Sequence, residues 1–139
     1  MLKSALICLS LAVALLVFVA PLQAQQNPVA EKAAQQSANT WLLAIDASKY
    51  AQSWDTASDI FQKAVTKEKW IAIAKQARDP LGKMKSRKLK LAQYLKSPKG
   101  EVVTVQFNTE FEKKPGAVET VAEILGKDGK WHTAGYFVK

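Results

Sequence analysis

Cysteine and histidine are nearly absent from this sequence. The only cysteine, Cys8, lies in an N-terminal apolar run, and the only histidine is His132. Without that run the chain has no thiol, which excludes disulfide bonds, thiol catalysis and cysteine-ligated metals. One histidine among scattered carboxylates is not a metal ligand set, and no nucleotide-binding, zinc or nucleophile motif occurs. We therefore expect no cofactor, and a domain stabilised by its hydrophobic core alone.

The N-terminal segment predicts export. Lys3 is the only charged residue before Glu31, and an apolar run over residues 5–20 ends at Pro21. This run has the length of a signal-peptide core and is short for a membrane-spanning helix of about 20 residues. We expect cleavage near Ala24 and a periplasmic or secreted protein, with an uncleaved anchor as the alternative. The expected organisation is a signal peptide (1–24), a flexible leader (25–29) and one domain (30–139).

Two hydrophobic periods divide this domain. Apolar residues spaced three and four apart predict helices over residues 30–45 and 47–65, and a third helix that begins at the cap Thr66 and ends at Asp79-Pro80. After Gly82 the period becomes two, which predicts strands around 88–91 and over 103–111, 118–125 and 131–138, with a bulge in the third. We predict an α+β fold, with N-terminal amphipathic helices packed on a curved four-stranded antiparallel sheet in a cystatin-like cone.

Several short motifs follow one another along the chain after the N-terminal segment. They are Trp41-Leu42, Asp46, Tyr50, Ser53-Trp54, Trp70, Arg78-Asp79-Pro80-Leu81-Gly82, Ser86-Arg87, Val105-Gln106-Phe107, Glu119-Thr120-Val121 and Gly135-Tyr136-Phe137. In this series the chain resembles the bacterial domain of unknown function 4019 family, and it departs from the family pattern at residues 97–99 and at His132. The resemblance implies a short exported protein without an assigned activity. The layout is also similar to nuclear-transport-factor-like folds, which host both enzymes and binding modules.

Positive charge is concentrated in one stretch, residues 83–99. Of the twenty basic residues, Lys3 lies in the N-terminal segment, and the rest of the chain has nineteen basic and twelve acidic residues. Residues 83–99 contain seven bases and no acid, so this basic segment holds the whole excess. Its candidate binding residues are Lys85, Lys88, Lys90 and Lys96. A solvated strand face that protects the sheet edge is the favoured role of these lysines, and binding of an anionic envelope polymer or lipid headgroup is the functional alternative. Nucleic acid is disfavoured, because only Tyr94 could stack on a base.

A second candidate site is a pocket between helices and sheet. Its predicted residues are Trp41, Asp46, Tyr50, Trp54 and Tyr136. They could bind a small apolar ligand, or simply form the core, since each tryptophan buries a large surface. A cofactor-free isomerase or hydrolase using Asp46, Tyr50 and His132 is the enzymatic alternative. We expect His132 to share a face of the last strand with Tyr136. The favoured role of Asp46 is to cap the second helix, and pairing with a buried arginine is its other structural role. We expect a binding module rather than an enzyme.

The third candidate is a structural ion pair formed by Arg78, Arg87 and Glu119. We expect Arg87 to share the inward face of its strand with Leu89 and Leu91. A covered guanidinium needs a carboxylate, and Glu119 or Asp79 is the expected partner.

Overall fold

The computed structural model describes residues 25–139; the signal-peptide prediction, residues 1–24, lies outside the described residues. The helices come first: α1 (Pro28–Asp46), α2 (Tyr50–Asp55), α3 (Asp59–Ala64), α4 (Lys67–Arg78) and a 3-10 turn (Asp79–Leu81). The strands follow: β1 (Met84–Ser97), β2 (Gly100–Phe111), β3 (Lys114–Leu125) and β4 (Trp131–Val138). The fold is α+β, with N-terminal helices packed on a four-stranded antiparallel sheet, as the sequence predicts.

Capping side chains set the helix boundaries. The Asn27 side chain accepts a hydrogen bond from the Ala30 amide and Pro28 occupies the first turn, so α1 begins inside the predicted leader. The predicted second helix is two short ones, because the chain turns at residues 56–58 and Ser58 caps α3. Thr66 caps α4, which confirms that prediction. None of the helices among residues 25–139 is long and apolar enough to span a membrane.

Gly82 makes the turn from the helices into the sheet. Its φ of 73° lies in the left-handed region, where a side chain is strained. A Cβ at this position would also lie 3.0 Å from the Cβ of Glu112. The turn therefore requires glycine, and it brings the start of β1 beside the end of β2.

The sheet is a meander in which each strand pairs with the next, and β1 and β4 form its edges. The register of β1 against β2 shifts twice, with Lys85 and Lys90 as the extra residues. The shift between β3 and β4 leaves Ala134 as an extra residue in the fourth strand. The third strand has an irregularity of its own against β2, at residues 115–116, which lies before the predicted range 118–125. Each extra residue moves the following side chains to the opposite face.

The helix-facing side of the sheet forms the core. Its β2 residues are those of the alternation in the sequence, namely Val103, Val105, Phe107, Thr109 and Phe111, all buried. Against them pack the buried stripe of α1, including Trp41 and Ile45, and Trp70 of α4.

The bulges overturn two predictions about faces. Leu91 pairs with Gln106 on the outer side of the sheet, so it does not share the face of Arg87. His132 pairs with Ile124, also on the outer side, so it does not share the face of Tyr136. In both cases one extra residue, Lys90 or Ala134, intervenes between the compared positions.

Candidate functional site

A buried ionic cluster lies between the C-terminal end of α1, the end of α4 and the helix-facing side of the sheet. Its members are Asp46, Arg78, Arg87, Glu119 and Tyr136. The Arg87 guanidinium contacts two carboxylates: its Nε and Nη2 lie 2.8 and 2.7 Å from Glu119 Oε1, and its Nη1 lies 2.8 Å from Asp46 Oδ2. Arg78 Nη2 donates to Asp46 Oδ1 at 3.0 Å. The structure thus places the three predicted ion-pair residues together.

Asp46 joins the two arginines, and this sets its protonation. It does not cap α2, whose cap residue Lys49 makes no side-chain capping bond. Burial alone would raise the pKa of Asp46, but the hydrogen bonds and charges of Arg87 and Arg78 outweigh burial and hold the pKa below its ordinary value. Asp46 is therefore a firmly ionised ion-pair partner, and a poor proton acceptor.

Asp79 is not the partner of Arg87. Its Oδ1 accepts a hydrogen bond from the Tyr50 hydroxyl at 2.9 Å. Asp46 lies at the end of α1 and Tyr50 at the start of α2, and the two side chains bind different partners.

Tyr136 completes the cluster from β4. Its hydroxyl donates to Glu119 Oε2 at 2.5 Å and accepts from Arg78 Nη1 at 3.4 Å, while its ring lies 5.4 Å from that of Trp41. Burial and then the charge of Glu119 raise the pKa of Tyr136, so the phenol stays neutral. Two guanidinium groups and two carboxylates then balance, and every charge is held by an opposite one. Such an arrangement is costly to break, and it leaves no unpaired acid or base within the cluster.

The five predicted pocket residues do not line one cavity. A cleft of about 460 Å³ beside α1 touches only Trp41 among them, and one of about 380 Å³ touches only Tyr50. Two further clefts described within residues 25–139 touch neither these nor Asp46, Trp54 and Tyr136.

The tryptophan indoles are engaged in the core. Trp41 Nε1 donates to the Ser53 carbonyl and Trp70 Nε1 donates to Ser53 Oγ, both at 2.8 Å. Trp54 Nε1 donates to the Val65 carbonyl at 2.8 Å. These bonds tie the short helices to α1 and α4, which gives the tryptophans a structural role.

His132 lies apart from the ionic cluster. Its Nε2 is 2.8 Å from Asp128 Oδ2 in the β3–β4 hairpin, and the pair is partly exposed. Within the part of the chain that the structure describes, no group of histidine, cysteine and carboxylate side chains is arranged to hold a metal ion.

Glu123 is a buried carboxylate that the sequence reasoning missed. It is fully buried on the helix-facing side of β3, its Oε1 accepts from Thr133 at 2.6 Å, and its Oε2 has no hydrogen-bond partner among the described residues. Burial raises its pKa to about 7. The alternation of Glu119, Val121 and Glu123 with a core valine at its centre was the signal that could have placed it.

The basic segment forms β1, an edge of the sheet. Lys85 and Lys90 are the two bulged residues, and Lys88 points to the outer side, opposite Asn108. Lys96 lies two residues beyond buried Tyr94, on the same side of β1, and pairs with Glu101 on the neighbouring strand. All four lysine side chains are exposed. They therefore share one edge of the sheet without sharing one face.

These four lysines have no carboxylate within 4 Å among residues 25–139. The acids on β2 are otherwise engaged, since Glu101 accepts from the Tyr94 hydroxyl and Glu110 from the Gly116 amide. Glu112, directly after β2, accepts from the Lys83 amide. The ammonium groups are thus available to an external anion, unlike the guanidinium groups of the cluster.

A sequence model of the family described as "Protein of unknown function (DUF4019)" matches residues 37–136. The match contains every member of the ionic cluster and the whole of β1. No curated protein shows significant sequence similarity to the chain.

Proposed function

The chain belongs to the DUF4019 family, and from this premise we propose that it is an exported binding module, without catalytic activity, which recognises an anionic component of the cell envelope through β1. The N-terminal sequence supports export, with cleavage near Ala24 and a periplasmic or secreted location. Helices followed by a four-stranded antiparallel meander support a cystatin-like arrangement, a layout that hosts both binding modules and enzymes.

The observation that carries the proposal is the separation of two kinds of charge. Arginines and carboxylates in the interior neutralise one another, whereas the lysines of β1 are exposed and unpaired within the described residues. An edge strand with uncompensated positive charge attracts phosphate and carboxylate groups and releases their counterions. Edge lysines also discourage strand-to-strand aggregation, and this second role is compatible with the first.

The interior gives less support to a small apolar ligand. The region where helices meet the sheet is occupied by Trp41 and Tyr136, whose rings are in contact, and by the ionic cluster. A ligand there would have to displace buried ion pairs, and breaking such a pair is strongly destabilising.

The enzymatic alternative also finds little support. Its three residues bind separate partners: Asp46 two arginines, Tyr50 the carboxylate of Asp79, and His132 that of Asp128. The pKa of Asp46 is lowered and burial raises that of Tyr50, so neither is poised for proton transfer at neutral pH. Nucleic acid is disfavoured as well, because Tyr94 is buried and cannot stack on a base.

Salt-dependent binding to soluble polyphosphate tests the proposal. We expect the wild-type protein to bind, with an affinity that falls as salt rises. The triple variant Lys85→Gln, Lys88→Gln, Lys90→Gln should bind more weakly and reduce the slope of log affinity against log salt by about 2–3, one unit or slightly less per lysine removed.

The matched control is Lys63→Gln, Lys69→Gln, Lys75→Gln on α3 and α4, whose side chains are also exposed. It removes the same charge from the helical side. Equal losses in the two variants would show that binding follows net charge rather than β1, and would reject the proposal. Absence of binding by the wild-type protein to polyphosphate and to anionic vesicles would reject it too.

A further inference from the structure

We infer that the anionic component is a lipid membrane surface, and that the outer face of the sheet rests on it, with Leu91, Leu95 and Phe137 entering the headgroup layer and neighbouring lysines contacting lipid phosphates. This inference depends on the proposed function, because it identifies the partner of the same strand. We call these three apolar side chains the outer patch.

The strand register places the outer patch on one side of the sheet. Leu91 pairs with Gln106, Gln106 with Thr120 and Thr120 with Phe137, so one row crosses all four strands. Three strand spacings separate its ends, about 14 Å. Leu95, opposite Val102, lies two rows further along the same face, beyond the row of Gln93 and Thr104.

The outer patch is open to solvent. Leu91 is 42% exposed, Leu95 52% and Phe137 51%. Gln106 and Thr120 lie between Leu91 and Phe137, and the next row has the small pair Ala122 and Gly135 beside Phe137. A single exposed leucine is ordinary on a protein surface, but three large apolar side chains on one uncovered face indicate an interaction surface.

A register shift produces this exposure. Without the extra residue Lys90, Leu91 would continue the alternation of Arg87 and Leu89 and point toward the helices. With it, Ala92 and Tyr94 take the inner positions, while Leu91 and Leu95 point outward. The same bulge presents Lys90 beside these leucines.

Basic side chains border the outer patch. Lys88 lies on the same face of β1, and Lys139 Nζ is 5.8 Å from the centre of the Phe137 ring. The acid on this face nearest to Lys88 along β1–β2 is Glu110, opposite Ser86, and both its carboxylate oxygens lie 3.1 Å from the Gly116 amide.

Apolar side chains bordered by lysines fit an anionic bilayer surface better than the other candidate occupants. A soluble polyanion would contact the lysines but leave the leucines in water. A second copy of this face would carry the same positive charge and be repelled. An anionic membrane suits both the leucines and the lysines, because acyl chains and glycerol accept the apolar groups while phosphates attract the ammonium groups. Each lysine near the surface contributes about fivefold to partitioning.

Vesicle partitioning tests this inference on the mature protein, cleaved near Ala24. The probes are vesicles of phosphatidylcholine alone, vesicles with an equal part of phosphatidylglycerol, and soluble polyphosphate. We expect the triple variant Leu91→Gln, Leu95→Gln, Phe137→Gln to partition onto the anionic vesicles at least about tenfold less than wild type, and to keep its affinity for polyphosphate.

The matched control is Leu43→Gln, Ile60→Gln, Ile73→Gln, which replaces three exposed apolar side chains on the helices. It should partition like wild type. All variants keep the same N-terminal residues, so differences among them report on the altered faces. Since the replaced side chains are exposed, each variant should also melt close to wild type.

Three outcomes would overturn the inference. In the first, the outer-patch variant partitions like wild type while the lysine variant loses binding. This result would keep the proposed function but reject a membrane as the partner. Binding to polyphosphate but not to anionic vesicles would do the same. A wild-type dimer that the outer-patch variant converts to a monomer, measured by analytical ultracentrifugation, would assign the face to self-association instead.

Discussion

The helix-facing side of the sheet and its β1 edge both carry basic residues, but in opposite states. Inside, Arg78 and Arg87 are covered and held by Asp46 and Glu119. On β1 the lysines are exposed, with no carboxylate within 4 Å in residues 25–139. The buried charges come from four separate elements, whereas the exposed ones follow one another in sequence. Like charges are buried together only where opposite charges lie between them, so most of a run of bases stays at the surface, while a buried cluster is assembled from scattered residues of both signs.

The largest expected effect is that of Arg87→Ala. It leaves Asp46 and Glu119 without their shared partner, and we expect the free energy of unfolding to fall by about 3–5 kcal/mol. Urea denaturation followed by tryptophan fluorescence measures it. The control is the neighbouring exposed residue, Lys88→Ala, which should change stability by less than about 0.5 kcal/mol. Equal midpoints for the two variants would contradict the contrast between inner and outer charge.

The second effect is the pH dependence due to Glu123. Its pKa is about 7 in the folded protein against 4.5 ordinarily, so the folded state binds the proton more tightly. Stability from this group is full below pH 4.5 and lost as the pH rises through 7. We expect Glu123→Gln to be more stable than wild type by roughly 3 kcal/mol at pH values well above 7, and similar to it near pH 4.5.

Denaturation midpoints across this pH range measure the effect of Glu123→Gln. The exposed Glu68→Gln serves as the control and should follow the wild-type curve. A constant difference between Glu123→Gln and wild type at every pH would mean that the carboxyl group does not titrate in this window.

A third comparison separates two tyrosine hydroxyls. Tyr136→Phe removes a donor from buried Glu119, and we expect a loss of about 2 kcal/mol. Tyr50→Phe removes a bond to exposed Asp79, for which we expect about 0.5–1 kcal/mol. Thermal unfolding of both variants checks the ranking. A larger effect at Tyr50 would show that burial of the carboxylate does not control the energetic contribution.

The smallest expected effect is that of the lysine variant of β1, Lys85→Gln, Lys88→Gln, Lys90→Gln, on stability. Exposed substitutions without an ion partner should change the free energy of unfolding by less than about 0.5 kcal/mol. Urea denaturation at low salt, where surface charge matters most, measures it. A marked loss would mean that these lysines stabilise the fold and would remove the basis for treating them as a binding edge.

Strong periodicity made much of the fold predictable. The alternation of residues 103–111 placed β2 and its buried face correctly, and Thr66 marked the start of α4. The bulges at Lys90 and Ala134 were not predictable, because one extra residue leaves the local alternation readable in either register. The predictions of which side of the sheet Leu91 and His132 lie on were wrong for that reason.

The candidate site was only partly readable. Arg87 and Glu119 could be anticipated as partners, because a charged residue on a strand's inward face must be neutralised. The contacts of Asp46 depend on where the end of α1 meets α4 and β1, which no local pattern encodes. The exposure of the lysines follows from their clustering, whereas the outer patch beside them depends on the bulge.

The meander order of the strands has a consequence for how the chain folds. Because every strand pairs with its neighbour in sequence, three hairpins can form from contacts that lie close together along the chain, and such topologies fold quickly. The links from Asp46 to the two arginines span 32 and 41 residues, so they require the helices to dock on the sheet first. We therefore expect the ionic cluster to form after the folding transition state. Removing the cluster would then speed unfolding more than it slows folding.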